Sequence, residues 1–100
     1  MDINFNYVHV SASERLESFT SKRLKKLKDR YSWIVRAEVH LKKENTSSPE
    51  TGMICDIQIS APGQNVFTSS SEKTFEAAIS KSVDELKRQL QKKKEKMSTH

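Results

Sequence analysis

The spacing between apolar residues switches between two and about 3.6 along the chain, and this switching restricts the fold more than any other feature of the sequence. Apolar and polar residues alternate over residues 3–7, 35–41 and 53–59. Alternation is typical of strands that bury one face, so three strands are predicted there and a weaker fourth at about residues 65–70. The apolar positions predicted to face the core in the second strand are Val35, Ala37, Val39 and Leu41.

Two other segments carry apolar residues at helical spacing. The stripe of the first helix, predicted to end at about residue 29, consists of Leu16, Phe19, Leu24 and Leu27. The stripe of the second helix, predicted to reach about residue 97, consists of Phe75, Ala78, Ile79, Val83, Leu86 and Leu90. Ser11 and Glu14 have the spacing of a capping box, which predicts Ser11 as the N-cap of the first helix. Ser71 is the predicted N-cap of the second helix.

The predicted order of elements is therefore β-α-β-β-β-α. Short connections make the three later strands antiparallel, whereas the first strand joins the sheet through a helix and can pair in parallel by a right-handed crossover. Each strand has one apolar face and each helix one apolar stripe, so both helices are expected on one face of a four-stranded, mostly antiparallel sheet. This is an α+β fold that resembles the double-stranded-RNA-binding domain. A single domain is predicted over residues 1–97, with a flexible tail at 98–100.

The sequence offers little for membrane insertion or secretion. No apolar run approaches the roughly 18 residues of a membrane span, and the N-terminus lacks the basic and apolar regions of a signal peptide. The single cysteine, Cys55, cannot form an internal disulfide, which suits a reducing compartment. We therefore expect a cytoplasmic protein with no membrane partner.

Catalysis is not expected either. His9, His40 and His100 have no metal-ligand spacing relative to one another or to Cys55. Cys55 falls on the apolar face of a strand, where a core position is the simpler interpretation than a nucleophile. With only two glycines the chain has no glycine-rich phosphate loop. No enzyme activity, cofactor, metal or small-molecule substrate is predicted.

Positive charge is concentrated in the two helical segments. Residues 11–30 carry seven basic and three acidic side chains, and residues 72–100 carry eight and five. The rest of the chain sums to −2, although the whole chain has a net charge of +5. Such segregation indicates a polyanionic partner more strongly than net charge alone does.

Helical-wheel positions resolve this charge into two stripes. Arg15, Lys22 and Lys26 lie about a quarter-turn from the apolar face of the first helix, and Lys81, Arg88 and Lys92 lie nearly opposite the core of the second. If the helices pack side by side, the two stripes are predicted to line one basic groove. Phosphates are the natural ligands, and shape recognition of structured RNA fits better than base readout. The alternative is that these lysine-rich faces are merely solvated.

The second helix resembles a known family. The segment from Phe75 to Leu90, FEAAISKSVDELKRQL, followed by QKKKEK, is similar to the C-terminal helix of the ribosome hibernation promoting factors, also called ribosome-associated inhibitors or sigma-54 modulation proteins. The segment KRLKKL at residues 22–27 is similar to their first helix. The sequence departs from the family pattern at Ser80, where Asp is frequent, and at Glu85, where Lys is frequent.

The resemblance implies a protein that occupies the messenger and tRNA channel of the small ribosomal subunit and inhibits translation in starvation or stationary phase. The residues that match basic positions of the family are Lys22, Arg23, Lys26, Arg88 and Lys92. Charge alone adds Lys25, Lys87, Lys93, Lys94 and Lys96. Arg23 projects toward the apolar flank, so part of its predicted role is packing over the edge of the core. A chain ending at residue 100 resembles the short form of the family, which would pair ribosomes only with a helper hibernation factor.

Two alternatives remain open on the sequence. A stand-alone double-stranded-RNA-binding module has the same αβββα core and would bind generic duplex RNA as well as ribosomal subunits. A protein-interaction module that regulates transcription follows from the older family name and would have little affinity for RNA.

Overall fold

The computed structural model describes residues 1–97, so the tail predicted at 98–100 lies outside the described residues. The elements are β1 (Asp2–Val8), α1 (Glu14–Arg30), β2 (Arg36–Lys43), β3 (Met53–Ser60), β4 (Val66–Glu72) and α2 (Phe75–Met97). This order confirms the predicted β-α-β-β-β-α arrangement.

The four strands form one sheet in the order β1-β2-β3-β4. β1 pairs with β2 in parallel, and the other two pairings are antiparallel. The register places Phe5, Val39, Ile57 and Thr68 in one row across the sheet. All four side chains lie on the face that the helices cover, so the alternation in the sequence and the pairing register agree.

The core lies between this sheet face and the two helices. Leu24 of α1, Leu86 and Leu90 of α2 and Ile57 of β3 are fully buried in it. The aromatic side chains that follow the apolar spacing, Phe5, Tyr7, Phe19 and Phe75, are partly buried against it. Cys55 is fully buried, and burial raises the pKa of its thiol to about 12, so the thiol stays protonated. The predicted core position of Cys55 is confirmed.

Both helix N-caps differ from the predicted residues. The N-cap of α1 is Ser13, whose hydroxyl accepts from the amide of Leu16 at 3.2 Å. The Tyr7 hydroxyl accepts from the Ser13 amide at 3.3 Å, which ties the start of α1 to β1 and carries the chain past Ser11 before the helix begins. Ser71 pairs within β4, and the hydroxyl of Thr74 accepts from the first turn of α2 instead.

The start of β2 also differs from the prediction. β2 begins at Arg36, and Val35 is 63% exposed whereas Ile34 is 1% exposed. The physical reason is a turn in which the amide of Ile34 donates to the carbonyl of Tyr31 at 3.1 Å. This turn directs Ile34, rather than Val35, into the core. Lys28 donates to the carbonyl of Ile34 and so holds the turn to the end of α1.

Unfolding measurements can test whether Ile34, rather than Val35, lies in the core. Ile34→Ala is expected to lower the free energy of unfolding by about 2–5 kcal/mol, because it leaves a cavity in the core. Val35→Ala, the neighbouring control, is expected to change it by less than about 0.5 kcal/mol. Urea denaturation followed by circular dichroism measures both. A larger loss of unfolding free energy for Val35→Ala than for Ile34→Ala would mean that Val35 is the core residue.

Candidate nucleic-acid interface

The helices α1 and α2 run side by side in the same direction. At their N-terminal ends the guanidinium of Arg15 donates to the carboxylate of Glu76 at 2.8 Å. At the other end the hydroxyl of Tyr31 donates to the side chain of Gln91 at 2.9 Å. These two contacts join the helices near both ends of α1, and a groove lies along the outer side of the helix pair.

The groove is open to solvent and has a volume of about 550 Å³. Its cationic side chains are Arg15, Lys22, Arg23 and Lys26 of α1 and Lys87 of α2. The α1 residues have offsets of seven, eight and eleven from Arg15, so they lie on one helix face. The partly buried Phe19 of α1 supplies apolar surface between the cations, and the fully buried Val83 of α2 lies beneath the groove. The structure thus places five of the twelve predicted RNA-binding residues in one concave site.

Arg23 packs on the aromatic ring of Phe19. Its guanidinium carbon lies 4.6 Å from the ring centroid, within the range of a cation–π contact. This contact confirms the predicted packing of Arg23 over the edge of the core. It also holds at the groove wall a charged group that forms no salt bridge within residues 1–97.

The cations of the groove differ in how far they are neutralised. Arg15 is paired with Glu76, and the hydrogen bond from Arg15 holds the pKa of Glu76 below its usual value. Lys87 lies 4.0 Å from the carboxylate of Asp84, the limit of an ion pair. Within residues 1–97, none of Lys22, Arg23 and Lys26 forms a salt bridge, so these three carry the unneutralised positive charge of the groove.

The second predicted stripe lies outside this groove. Lys81 pairs with Glu72 at 3.3 Å, and Arg88 pairs with Glu85 at 2.9 Å. Lys92 lies beside the β3–β4 turn. The structure therefore does not bring the two stripes together in one groove. Side chains opposite the core point away from a neighbouring helix, whereas Lys87, about 100° around α2 from Arg88, lies on the flank that faces α1.

The remaining predicted residues are dispersed. Lys93 donates to the carbonyl of Gln64 in the β3–β4 turn at 3.0 Å, and Lys96 lies near the same turn. The amino group of Lys94 is 5.8 Å from the centroid of the Tyr31 ring. Lys25 lies on the outer side of α1, where it shares a shallow depression with Glu14 and Glu17. The tertiary structure thus divides the predicted cations into a set that lines the groove and a set that lies around it.

The sheet face opposite the helices carries a separate polar cluster. Asp56 is buried there and accepts from Lys42 at 2.7 Å and from the hydroxyl of Ser69. Burial opposes the charge on Asp56, but the hydrogen bonds from Lys42 and Ser69 outweigh it and keep the pKa of Asp56 below its usual value. The cluster joins β2, β3 and β4. No group of three or more His, Cys, Asp or Glu side chains within residues 1–97 is arranged to hold a metal ion.

Comparisons with known proteins place the chain in a family. The family described as sigma 54 modulation protein / S30EA ribosomal protein matches residues 3–98, and the chain belongs to it. This confirms the resemblance seen in both helices. No curated protein sequence matches the chain significantly. None of the helices within residues 1–97 combines the length and apolar character needed to cross a membrane.

Two solved structures share the fold. A ribosomal subunit interface protein from Coxiella burnetii superposes with a TM-score of 0.81 at 19% identity, over 94% of this chain and 98% of its own. The N-terminal domain of Protein Y from Thermus thermophilus superposes with a TM-score of 0.76 at 24% identity, over 92% of this chain and 98% of its own. At these identities the likeness establishes the α+β fold.

The role of Asp56 can be tested by its pH dependence. A carboxyl whose pKa is lower in the folded than in the unfolded chain adds stability above the unfolded pKa of about 3.9, and this stability is lost as the pH falls through the folded pKa. Asp56→Asn is expected to be less stable than the wild type at pH 7 and to lose less stability as the pH falls below about 4. Urea unfolding over a pH series measures this. The exposed carboxylate variant Asp84→Asn is the control, and parallel pH curves for wild type and Asp56→Asn would contradict the assignment.

Neutralising Glu76 tests the electrostatics of the groove. Glu76→Gln removes the ion-pair partner of Arg15. It is expected to raise the affinity for a short structured RNA by up to about fivefold at low salt, because an exposed ion pair of this kind is worth about 0.2–1 kcal/mol. Fluorescence anisotropy measures the affinity. Glu85→Gln is the matched control, since its partner Arg88 lies outside the groove. A larger gain in affinity for Glu85→Gln would mean that the main RNA contacts lie on the outer side of α2.

Proposed function

We propose that this protein is a ribosome-associated factor that binds small-subunit ribosomal RNA through the groove between α1 and α2. Its family includes ribosomal proteins by description, and one structural neighbour is named a ribosomal subunit interface protein. The observation that carries the proposal is the concave site with five cations, three of them without an acidic partner among residues 1–97.

The groove suits a phosphate backbone. From Arg15 to Lys26 the α1 wall extends for about 16 Å, which is long enough to meet several successive phosphates of one strand. Cations that neutralise phosphates release condensed counterions, so binding through this wall depends steeply on salt. The peripheral cations Arg88, Lys92 and Lys93 add contacts on the far side of α2.

We infer that binding acts by occupancy and not by catalysis. A domain of this size seated in the messenger and tRNA channel excludes both ligands, and the ribosome is held inactive during starvation or stationary phase. The site of action is the cytoplasm, where ribosomes are. Pairing of silenced ribosomes would need a helper hibernation factor that contacts another surface.

Charge reversal in the groove tests the proposal. The double variant Lys22→Glu/Lys26→Glu is expected to weaken binding to isolated small subunits by at least about a hundredfold, because two phosphate contacts are replaced by repulsion. Co-sedimentation across a salt series measures this. Thermal melts are expected to stay close to the wild type, since both side chains are exposed.

The variant Arg88→Glu/Lys92→Glu is the matched control, with the same change of charge placed outside the groove. We expect it to weaken binding by about tenfold, as peripheral phosphate contacts would. Equal losses in the two variants would mean that net charge and not the groove determines binding. Equal affinity of the wild type for small subunits and generic duplex RNA would favour the double-stranded-RNA-binding module. Absence of binding to either would favour the transcription regulator.

A further inference from the structure

The surface of the groove is not what a phosphate backbone alone requires. Phosphates are bound by cations and amide groups, and an aromatic ring adds nothing to their neutralisation. Yet Phe19 lies among the cations of the α1 wall. Phe19 is only partly buried against the core. Its exposed part faces the groove, where the guanidinium of Arg23 packs on it.

The contact between Arg23 and Phe19 brings two planar groups together at the groove wall. A guanidinium held over an aromatic ring keeps its hydrogen-bond donors at the edge and leaves its second face open. Both aromatic rings and guanidinium planes stack on nucleobases that are not paired. The side chains of Lys22 and Lys26 flank this surface on the same wall of the groove.

We propose that the groove takes one unpaired nucleotide, with its base stacked on the Arg23–Phe19 surface and its phosphates contacted by Arg15, Lys22, Lys26 and Lys87. This inference deepens the proposed function and rests on it. A volume of about 550 Å³ suits a ligand of nucleotide size. A base inside a duplex is stacked on both sides and cannot reach such a surface. The nucleotide is therefore one extruded from structured RNA or a free nucleotide of the same chemistry.

Comparing oligonucleotides with and without bases tests the stacking. The probes are a single-stranded oligoadenylate and an abasic oligomer with the same number of phosphates, each measured by fluorescence anisotropy with the full chain. We expect the wild type to bind the oligoadenylate at least about tenfold more tightly, since one base stacked on an aromatic side chain contributes about that factor. Equal affinities would overturn the proposal and leave a groove that binds phosphates alone.

The variant Phe19→Leu keeps an apolar side chain but removes the ring. It is expected to abolish most of the preference for the oligoadenylate while the dependence of affinity on salt stays unchanged, because the phosphate contacts remain. Phe67→Leu is the matched control, since Phe67 is 55% exposed on the opposite face of the sheet. If Phe19→Leu fails to fold, Arg23→Lys serves instead, because it keeps the charge and removes the plane. A preference that persists in a folded variant would overturn the proposal.

Two further measurements separate the outcomes. Displacement of the oligoadenylate by adenosine monophosphate would support the site and identify a free nucleotide as a competent ligand. No displacement, together with the preference for bases, would support a nucleotide carried by RNA. Co-sedimentation with small subunits tests the proposed function independently. Binding to subunits without any preference for bases would contradict this inference alone. If the protein neither binds subunits nor prefers bases, the proposed function is contradicted as well.

Discussion

The parallel pairing of β1 with β2 is the constraint on which the rest of the structure depends. Two parallel strands cannot be joined by a tight turn, so the chain between them must cross over one face of the sheet. The crossover is α1, and its apolar stripe requires the same face that α2 covers. Two helices on one face must lie side by side. The groove between them is therefore a direct consequence of the pairing of the first strand.

Charge in this molecule is distributed according to that layering. The sheet and the inner helix faces form an apolar core, and the open sheet face satisfies its one buried carboxylate internally through Lys42 and Ser69. Among residues 1–97, cations that form no salt bridge, such as Lys22 and Lys26, lie on the outer surface of the helix pair. Acidic residues hold some cations in place, as Glu76 does for Arg15. Part of the positive charge on the helix pair is therefore already oriented.

Local pattern predicted the elements well and their ends less well. Alternation identified the strands because one face of each is buried, but it assigned Val35 to the core when a turn at Tyr31 directs Ile34 there. Ser11 was predicted to cap α1, but a contact with Tyr7 places the helix start at Ser13. Ser71 was predicted to cap α2, but it pairs within β4 and Thr74 caps the helix. A capping preference is worth only about 1 kcal/mol, so contacts with the sheet could override it. At Val35 a local turn changed the side chain that enters the core.

The sequence by itself determined that this chain forms two basic helices over a half-buried sheet, because periodicity and charge are properties of local order along the chain. It also contained the family resemblance in both helices. Only the tertiary structure decided which cations share a site. A helical wheel shows where a side chain points relative to the core of its own helix, but not where the neighbouring helix lies. The packing of α1 beside α2 therefore selected Lys87 for the groove and left Lys81, Arg88 and Lys92 outside it.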